Sequence, residues 1–459
     1  MSGTGISVRT RWIAAAAALP VVVLLATDVW PGVRGPDSWQ WARRPVLSPW
    51  LVGCAATMVA TIFVALQVRR AWAGGTVGAR AAWLTAAVAL TFAQMVLLTA
   101  AEPGGLSNVV RRVESPSFTS YDTIARGVSD PRAFLEKYPR IQHRFPVHGP
   151  SQPPGRVMWF WTARRLFGDD RGPAVAGYLL MFVGALSLVP LVPLVGGRCA
   201  PEAVGAMIAL MGTLPSFLLF TPQTDHLILF LSLVAAALLV EAMRYASHRF
   251  APFLAFAAGV TAGAGLFVSF TSLAALGVWG LALAGMTVVA HRRRVPFPNG
   301  RRIALLAGTA LVGAGAAMGG VAALGMDWAA VFRECLQAAR HVQVDVHGRS
   351  YATWVVWNPW DFALFLGWPV TIAWIARVRG EWKDAALEIP FAAALLIALV
   401  ILDLSGSILG ETGRIWMFLM PAAVAAAAAG SRSPAGWIPL AAAQGAIVLT
   451  MRVFLNVPG

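Results

Sequence analysis

Charge is what this chain has least of. Charged residues make up 12% of its 459 residues and hydrophobic residues 58%, whereas charged residues are roughly 25% of a soluble domain. A water-facing globule is therefore a poor reading. Cysteine is scarce too. Cys54 falls in an apolar helix, Cys199 on one side of the membrane and Cys335 on the other, so no pair can meet and no metal-ligand spacing exists. Walker loop, HExxH, GxSxG and CxxC patterns are all absent, which leaves no sign of nucleotide hydrolysis, a serine nucleophile or zinc. No cofactor is expected, and a divalent metal is not indicated. There is no internal repeat of the transporter kind and no low-complexity linker.

What is present is apolar helix. Spans of about 20 apolar residues can be drawn at 13–30, 50–68, 81–100, 174–195, 202–220, 225–243, 253–268, 270–290, 303–325, 361–378, 386–403, 414–430 and 435–455. The expectation is an all-α, polytopic transmembrane bundle of about 13 spans in a single integral domain, 1–459. Residues 12–27, behind two Arg, read as an uncleaved first span, because no small-x-small site ends the run.

Basic residues in short loops set orientation. Arg9, Arg11, Arg69, Arg70, Arg80, Arg198, Arg244, Arg249, Arg377, Arg379, Lys383 and Arg432 fall on one side. So does the strongest run: Arg292, Arg293, Arg294, Arg301 and Arg302. That side is expected to be cytoplasmic, with the N-terminus inside and the C-terminus outside. Arg34, Arg43 and Arg44 in the first outside loop are an exception that the rule does not explain. The net charge of +15 is scattered over many loops, which suits an acidic inner leaflet and argues against nucleic acid.

The carboxylates fall the other way. Of 21 Asp and Glu, all but Glu202, Glu241, Glu381, Asp384 and Glu388 lie outside. Several sit at helix ends, where ionised groups are expensive and usually functional. Two outside loops, 101–173 and 326–360, are too long to be connectors. The first holds the amphipathic DPRAFLEKYPRIQHRF and then RVMWFWTARRLFG, which reads as a helix lying in the interface. The second is expected to hold a short interfacial helix, DWAAVFRECLQAARHV, and then an irregular polar run through HGRSYATWVVWNPWD.

Four outer clusters could carry chemistry. In RGPDSWQWARRP, Asp37 sits among Trp39, Trp41, Arg43 and Arg44; it is either a general base or an interfacial carboxylate paired to Arg43 or Arg44. SPSFTSYDTIA supplies Tyr121 and Asp122, and HGPSQPPG is a rigid turn suited to presenting His148 and Gln152. TPQTDH places Asp225 and His226 at the start of a long apolar helix, where Asp225 is a functional group or an N-cap. In HGRSYATWVVWNPWDF and GETGRIW, Arg349, Tyr351, Asn358, Glu411 and Arg414 are candidate ligand contacts. Guanidinium matches phosphate oxygens bidentately, while a local Glu411–Arg414 ion pair is the competing reading.

On these segments the chain resembles the GT-C superfamily of integral-membrane glycosyltransferases, in a bacterial form. The resemblance rests on Asp37 in RGPDSWQW, the long second outside loop closing on a PPG turn, the TPQTD hairpin, and the late RSYATWVVWNPWDF and GETGRIW segments. It covers nearly the whole chain in layout, through short motifs. It implies transfer of a monosaccharide, with inversion, from a polyprenyl-phosphate donor to a hydroxyl of a glycan, lipid or protein on the non-cytoplasmic face of the cell membrane. The acid of the first loop is commonly the base, which carries over to Asp37, with Asp225, Asp122 and Glu411, in that order, as competitors. Bacterial members typically read His-Pro-Pro-Gly where this chain has Gln152-Pro153-Pro154-Gly155, and His148 lies close enough to substitute. The alternative is a transporter or flippase of a lipid-linked or anionic substrate, and a third is a non-catalytic scaffold. Transporters tend to place ionisable groups near the midplane, whereas here they crowd the outer helix ends.

Overall fold

The computed structural model describes residues 7–37, 39–146, 148–196, 200–293, 298–384, 391–429, 431 and 433–457. Arg198, Cys199, Arg294, Glu388 and Arg432, and the side chains of Arg292, Arg293, Arg379, Glu381, Lys383 and Asp384, lie outside that description. The described chain is α-helical, with short 3₁₀ and π-helical turns and no strand; one isolated bridge joins Arg43 to Leu455.

Among the described residues, eight helices are long and apolar enough to cross a membrane: Val8–Thr27, Trp50–Gly74, Val77–Ala100, Gly155–Leu194, Asp225–Arg244, Ala251–Val268, Gly300–Ala323 and Pro434–Phe454. Tyr351–Leu366 and Trp368–Val378, bent by 110°, make a ninth if taken as one span. The protein is thus a multi-pass helical membrane protein, with fewer full spans than the 13 drawn from hydropathy. Four of those runs are shorter apolar helices over the described residues: Pro201–Met211, Ser272–Val288, Phe391–Leu404 and Met417–Ala429. Hydropathy merges such pieces because burial in protein and burial in lipid select the same residues. Pro201–Met211 stops before Pro215, and both it and Met420–Ala429 are almost wholly enclosed by other helices.

Small residues let the spans approach closely. A Cβ on Gly259 would lie 1.8 Å from the Ala310 carbonyl oxygen, and one on Gly313 would lie 2.2 Å from that of Phe256. Helices Ala251–Val268 and Gly300–Ala323 therefore touch backbone to backbone.

The two long loops expected outside are more helical than their sequence implies. The second long loop is regular from Tyr351 onward, because Ser350 caps the helix by accepting a hydrogen bond from the Thr353 amide at 3.2 Å. RVMWFWTARRLFG is not separate from its span. It forms the first arm of Gly155–Leu186, which breaks at Gly168 (φ 81°).

Segments expected on the outside meet at one end of the bundle. The backbone of 42–46 pairs with 453–456 through Arg44 N to Phe454 O (2.9 Å), Val46 N to Val453 O (2.7 Å) and Asn456 N to Ala42 O (2.8 Å). Glu102 pairs with both Arg112 and Arg452, and Arg112 also donates to the Thr221 carbonyl at 2.6 Å. Two of the three exceptions to the charge rule, Arg34 and Arg43, share the carboxylate of Asp28 at 3.1 and 3.8 Å. One carboxylate offsets one of those charges, so the loop stays basic.

Candidate functional site

A cavity of about 500 Å³ opens at that same end. The TPQTD hairpin, the PPG turn, the helix Trp328–Arg340 and the 407–418 segment surround it. Its polar pole holds Asp225, Arg156, Arg349, Glu411, Arg414 and His148; its apolar wall holds Phe270, Leu273, Phe332, Leu336, Ile415 and Phe418, among others.

Asp225 occupies the first turn of its helix, with Thr224 at the N-cap and no side-chain cap bond. The capping reading therefore fails, and the carboxylate turns to arginine instead. Arg156 Nη2 reaches Asp225 Oδ1 at 3.4 Å, and Arg414 Nη1 lies 3.5 Å from Oδ2. Oδ2 is buried and accepts no hydrogen bond among the described residues. Arg156 is held by Thr224 Oγ1 (2.8 Å) and the Tyr121 hydroxyl (3.3 Å), with its guanidinium over the Tyr121 ring. The PPG turn makes that reach feasible, because a Cβ at Gly155 would lie 2.2 Å from the Phe267 carbonyl oxygen.

Across the cavity, Glu411 takes Arg349 Nη2 at 2.7 Å and Arg414 Nη2 at 2.8 Å, one on each oxygen. The local Glu411–Arg414 pair and the lining of the cavity are thus both real. Burial would raise the Glu411 carboxyl, but Arg414 and then Arg349 outweigh it and bring it down to about 2. Arg414, despite burial, is raised by Glu411 and Asp225. Arg349 also donates to the Leu409 carbonyl at 2.7 Å and stands over the rings of Trp39 and Trp354 at 5.6 and 5.5 Å. Burial, with Arg414 next, lowers His148 to about 4, so it is neutral at physiological pH.

Seven of the residues singled out in the sequence thus line one cavity: Tyr121, Asp225, His148, Gln152, Arg349, Glu411 and Arg414. Five do not. Asp37 is exposed, and Arg43 pairs with Asp28 rather than with it. Its loop nonetheless borders the site, since Trp39 packs on Arg349. Asp122 is fully buried against Arg164 at 2.6 Å and Arg126 at 3.2 Å. His226 is buried between the Phe217 and Gln223 carbonyls at 2.9 and 3.3 Å. Tyr351 is exposed and donates to the Leu404 carbonyl at 3.0 Å.

Asn358 works behind the site. It donates to Asp403 (3.0 Å) and the Ile408 carbonyl (2.9 Å) and accepts from the Gly410 amide (2.9 Å). Asp361, one turn on, accepts from Gly413 N (2.7 Å) and Trp41 Nε1 (2.8 Å). Together they fix the loop that carries Glu411 and Arg414.

Arg156 is the site residue that reading by segment missed. Its neighbours Trp159 and Trp161 made it look like part of an interfacial belt, although its place directly after a Pro-Pro-Gly turn was a usable signal. Among the described residues, no group of three or more His, Cys, Asp or Glu could hold a metal ion. Comparison of the chain with protein-family models, with curated proteins and with solved structures found no match. What fold and cavity define is a polytopic helical membrane protein with a pocket at one end that has a charged pole and an apolar wall.

Proposed function

We propose that this protein is a membrane glycosyltransferase of the GT-C kind, moving a monosaccharide from a polyprenyl-phosphate donor to an acceptor hydroxyl on the non-cytoplasmic face. The observation that carries the reading is the two-sided cavity. Three arginines and two carboxylates face an apolar wall at the helix ends, a composition suited to a charged headgroup with a hydrocarbon tail. Arg414, with Arg349 behind it, would stabilise negative charge developing on the departing phosphate.

For the base, the geometry favours Asp225 over Asp37. A general base must come within hydrogen-bond reach of the proton it takes, and Asp225 presents a buried carboxylate oxygen without a hydrogen bond at the cavity. In this scheme the acceptor O–H proton passes to Asp225 Oδ2 as the acceptor oxygen bonds to the sugar's anomeric carbon. The bond from that carbon to the phosphate oxygen breaks, the phosphate leaves with the electron pair, and the configuration inverts.

The test is sugar transfer in membranes carrying Asp225→Asn or Asp37→Asn. Asp225→Asn is expected to lower turnover about 10²-fold or more at normal protein level, with Asp37→Asn retaining more than half. The reverse pattern would return the base to the first loop. Translocation of a prenyl-phosphate probe without any transfer would favour a flippase.

A further inference from the structure

Three guanidinium groups, Arg156, Arg349 and Arg414, face two carboxylates, Asp225 and Glu411, in one cavity. With its two histidines, His148 and His347, counted as neutral, the lining carries one net positive charge. The two carboxylates are used differently. Asp225 keeps an oxygen without a hydrogen bond, whereas Glu411 gives one oxygen to each of two arginines, at 2.7 and 2.8 Å.

Glu411 is also held where a side chain is disfavoured. Its backbone is left-handed at φ 56°, a conformation disfavoured for a residue with a Cβ. Asn358 secures both neighbours: it accepts from Gly410 N at 2.9 Å, and its carbonyl accepts from Thr412 Oγ1 at 2.8 Å. Strain of this kind persists where surrounding bonds over-determine it, often at functional sites. Fixing two arginines with a carboxylate removes one unit of the positive charge that draws an anion into the cavity.

We propose that Glu411 is a specificity-determining residue that, by cancelling one positive charge, weakens the cavity's hold on a lipid diphosphate relative to a lipid monophosphate. The inference rests on the prenyl-phosphate reading of the same site. Removing the Glu411 charge leaves two net positive charges, and the added attraction favours the more highly charged headgroup. A unit charge a few ångströms away in a partly screened site is worth a large factor in binding.

The experiment measures binding of farnesyl phosphate and farnesyl diphosphate, identical in tail, to the purified full chain in detergent by intrinsic tryptophan fluorescence. Glu411→Gln is expected to shift the ratio of the two affinities about tenfold toward the diphosphate, and Glu411→Asp, which keeps the charge, to leave it at the wild-type value. Glu411→Met, uncharged and of similar length, is read beside it in case Glu411→Gln does not fold. A folded uncharged variant with an unchanged ratio overturns the proposal and leaves the reading of the site standing, and so does a Glu411→Asp that shifts as far as the uncharged variants. If neither lipid binds the wild type, the reading of the site falls and the proposal with it.

Discussion

His148 and Gln152 reach the cavity from a turn whose residue types advertised rigidity but not destination. Pro153 and Pro154 could be read as fixing a bend; that the bend aims His148 toward Arg414 and Glu411 depends on a partner more than 250 residues away in a different loop. The same holds for Asp225 and Arg156. Each is visible as a costly polar group near an apolar run, while their pairing at 3.4 Å is a tertiary fact. Buried His148 gives a pH test. Its folded value, about 4, lies below its ordinary 6.5, so the unfolded chain takes up this proton first as pH falls. Stability linked to His148 is therefore fully present above 6.5 and is lost progressively down to 4. In detergent, the wild-type melting temperature should fall more steeply over that window than that of His148→Asn. Parallel curves would mean that His148 is solvated, and the enclosed geometry of the polar pole would be wrong.

At the scale of elements, hydropathy found the long helices and misjudged the broken ones. Gly367, at positive φ, sits inside apolar sequence that continues on both sides, whereas the bend at Gly168, also at positive φ, falls between the charged pairs Arg164–Arg165 and Asp169–Asp170. The polar run 348–360 misled in the opposite sense. Tyr351–Leu366 contains Asn358, Pro359 and Asp361 yet is a helix, because Asn358 and Asp361 bond to the 408–413 loop rather than to solvent. The junction of the PPG turn with the Ala251–Val268 helix is the element contact on which the site depends most. Gly155→Ala places a methyl 2.2 Å from the Phe267 carbonyl oxygen, and backbone on both sides leaves little room to relax. Overpacking of this sort is expected to destabilise by about 1–3 kcal/mol and to move Arg156 off Asp225. Lower melting temperature together with lost transfer is the outcome to look for. A variant that melts normally and transfers normally would show that the turn can shift without disturbing the site.

Across the whole molecule, the expectation that most acidic residues share one side needs only spans and charges drawn from the sequence. The contacts that gather some of them at one end are tertiary. Glu102 at the end of one span joins Arg112 of the next loop to Arg452 of the last helix, and Arg112 reaches on to Thr221 in the hairpin before Asp225. Burial lowers Arg112 to about 10, with Arg111 adding to it. A buried ion cluster missing one partner is typically destabilised by about 3–5 kcal/mol, so these loops are bound to a common end. The opposite end has its own contacts, Arg69 to Glu202 at 2.9 Å and Arg11 to Ser431 at 2.7 Å. The residues at that second end belong to loops whose arginine content leads to the expectation of a cytoplasmic position. Reporter fusions within 103–106 and 405–407 should therefore report the same compartment, outside, and a fusion within 298–302 the cytoplasm. The contact network requires only that the first two agree; the arginine bias decides which side they share. If the first two disagree, the loops cannot share one end and the cavity does not exist in the membrane. If they agree but lie inside, the fold stands and the donor must be sought on the cytoplasmic leaflet.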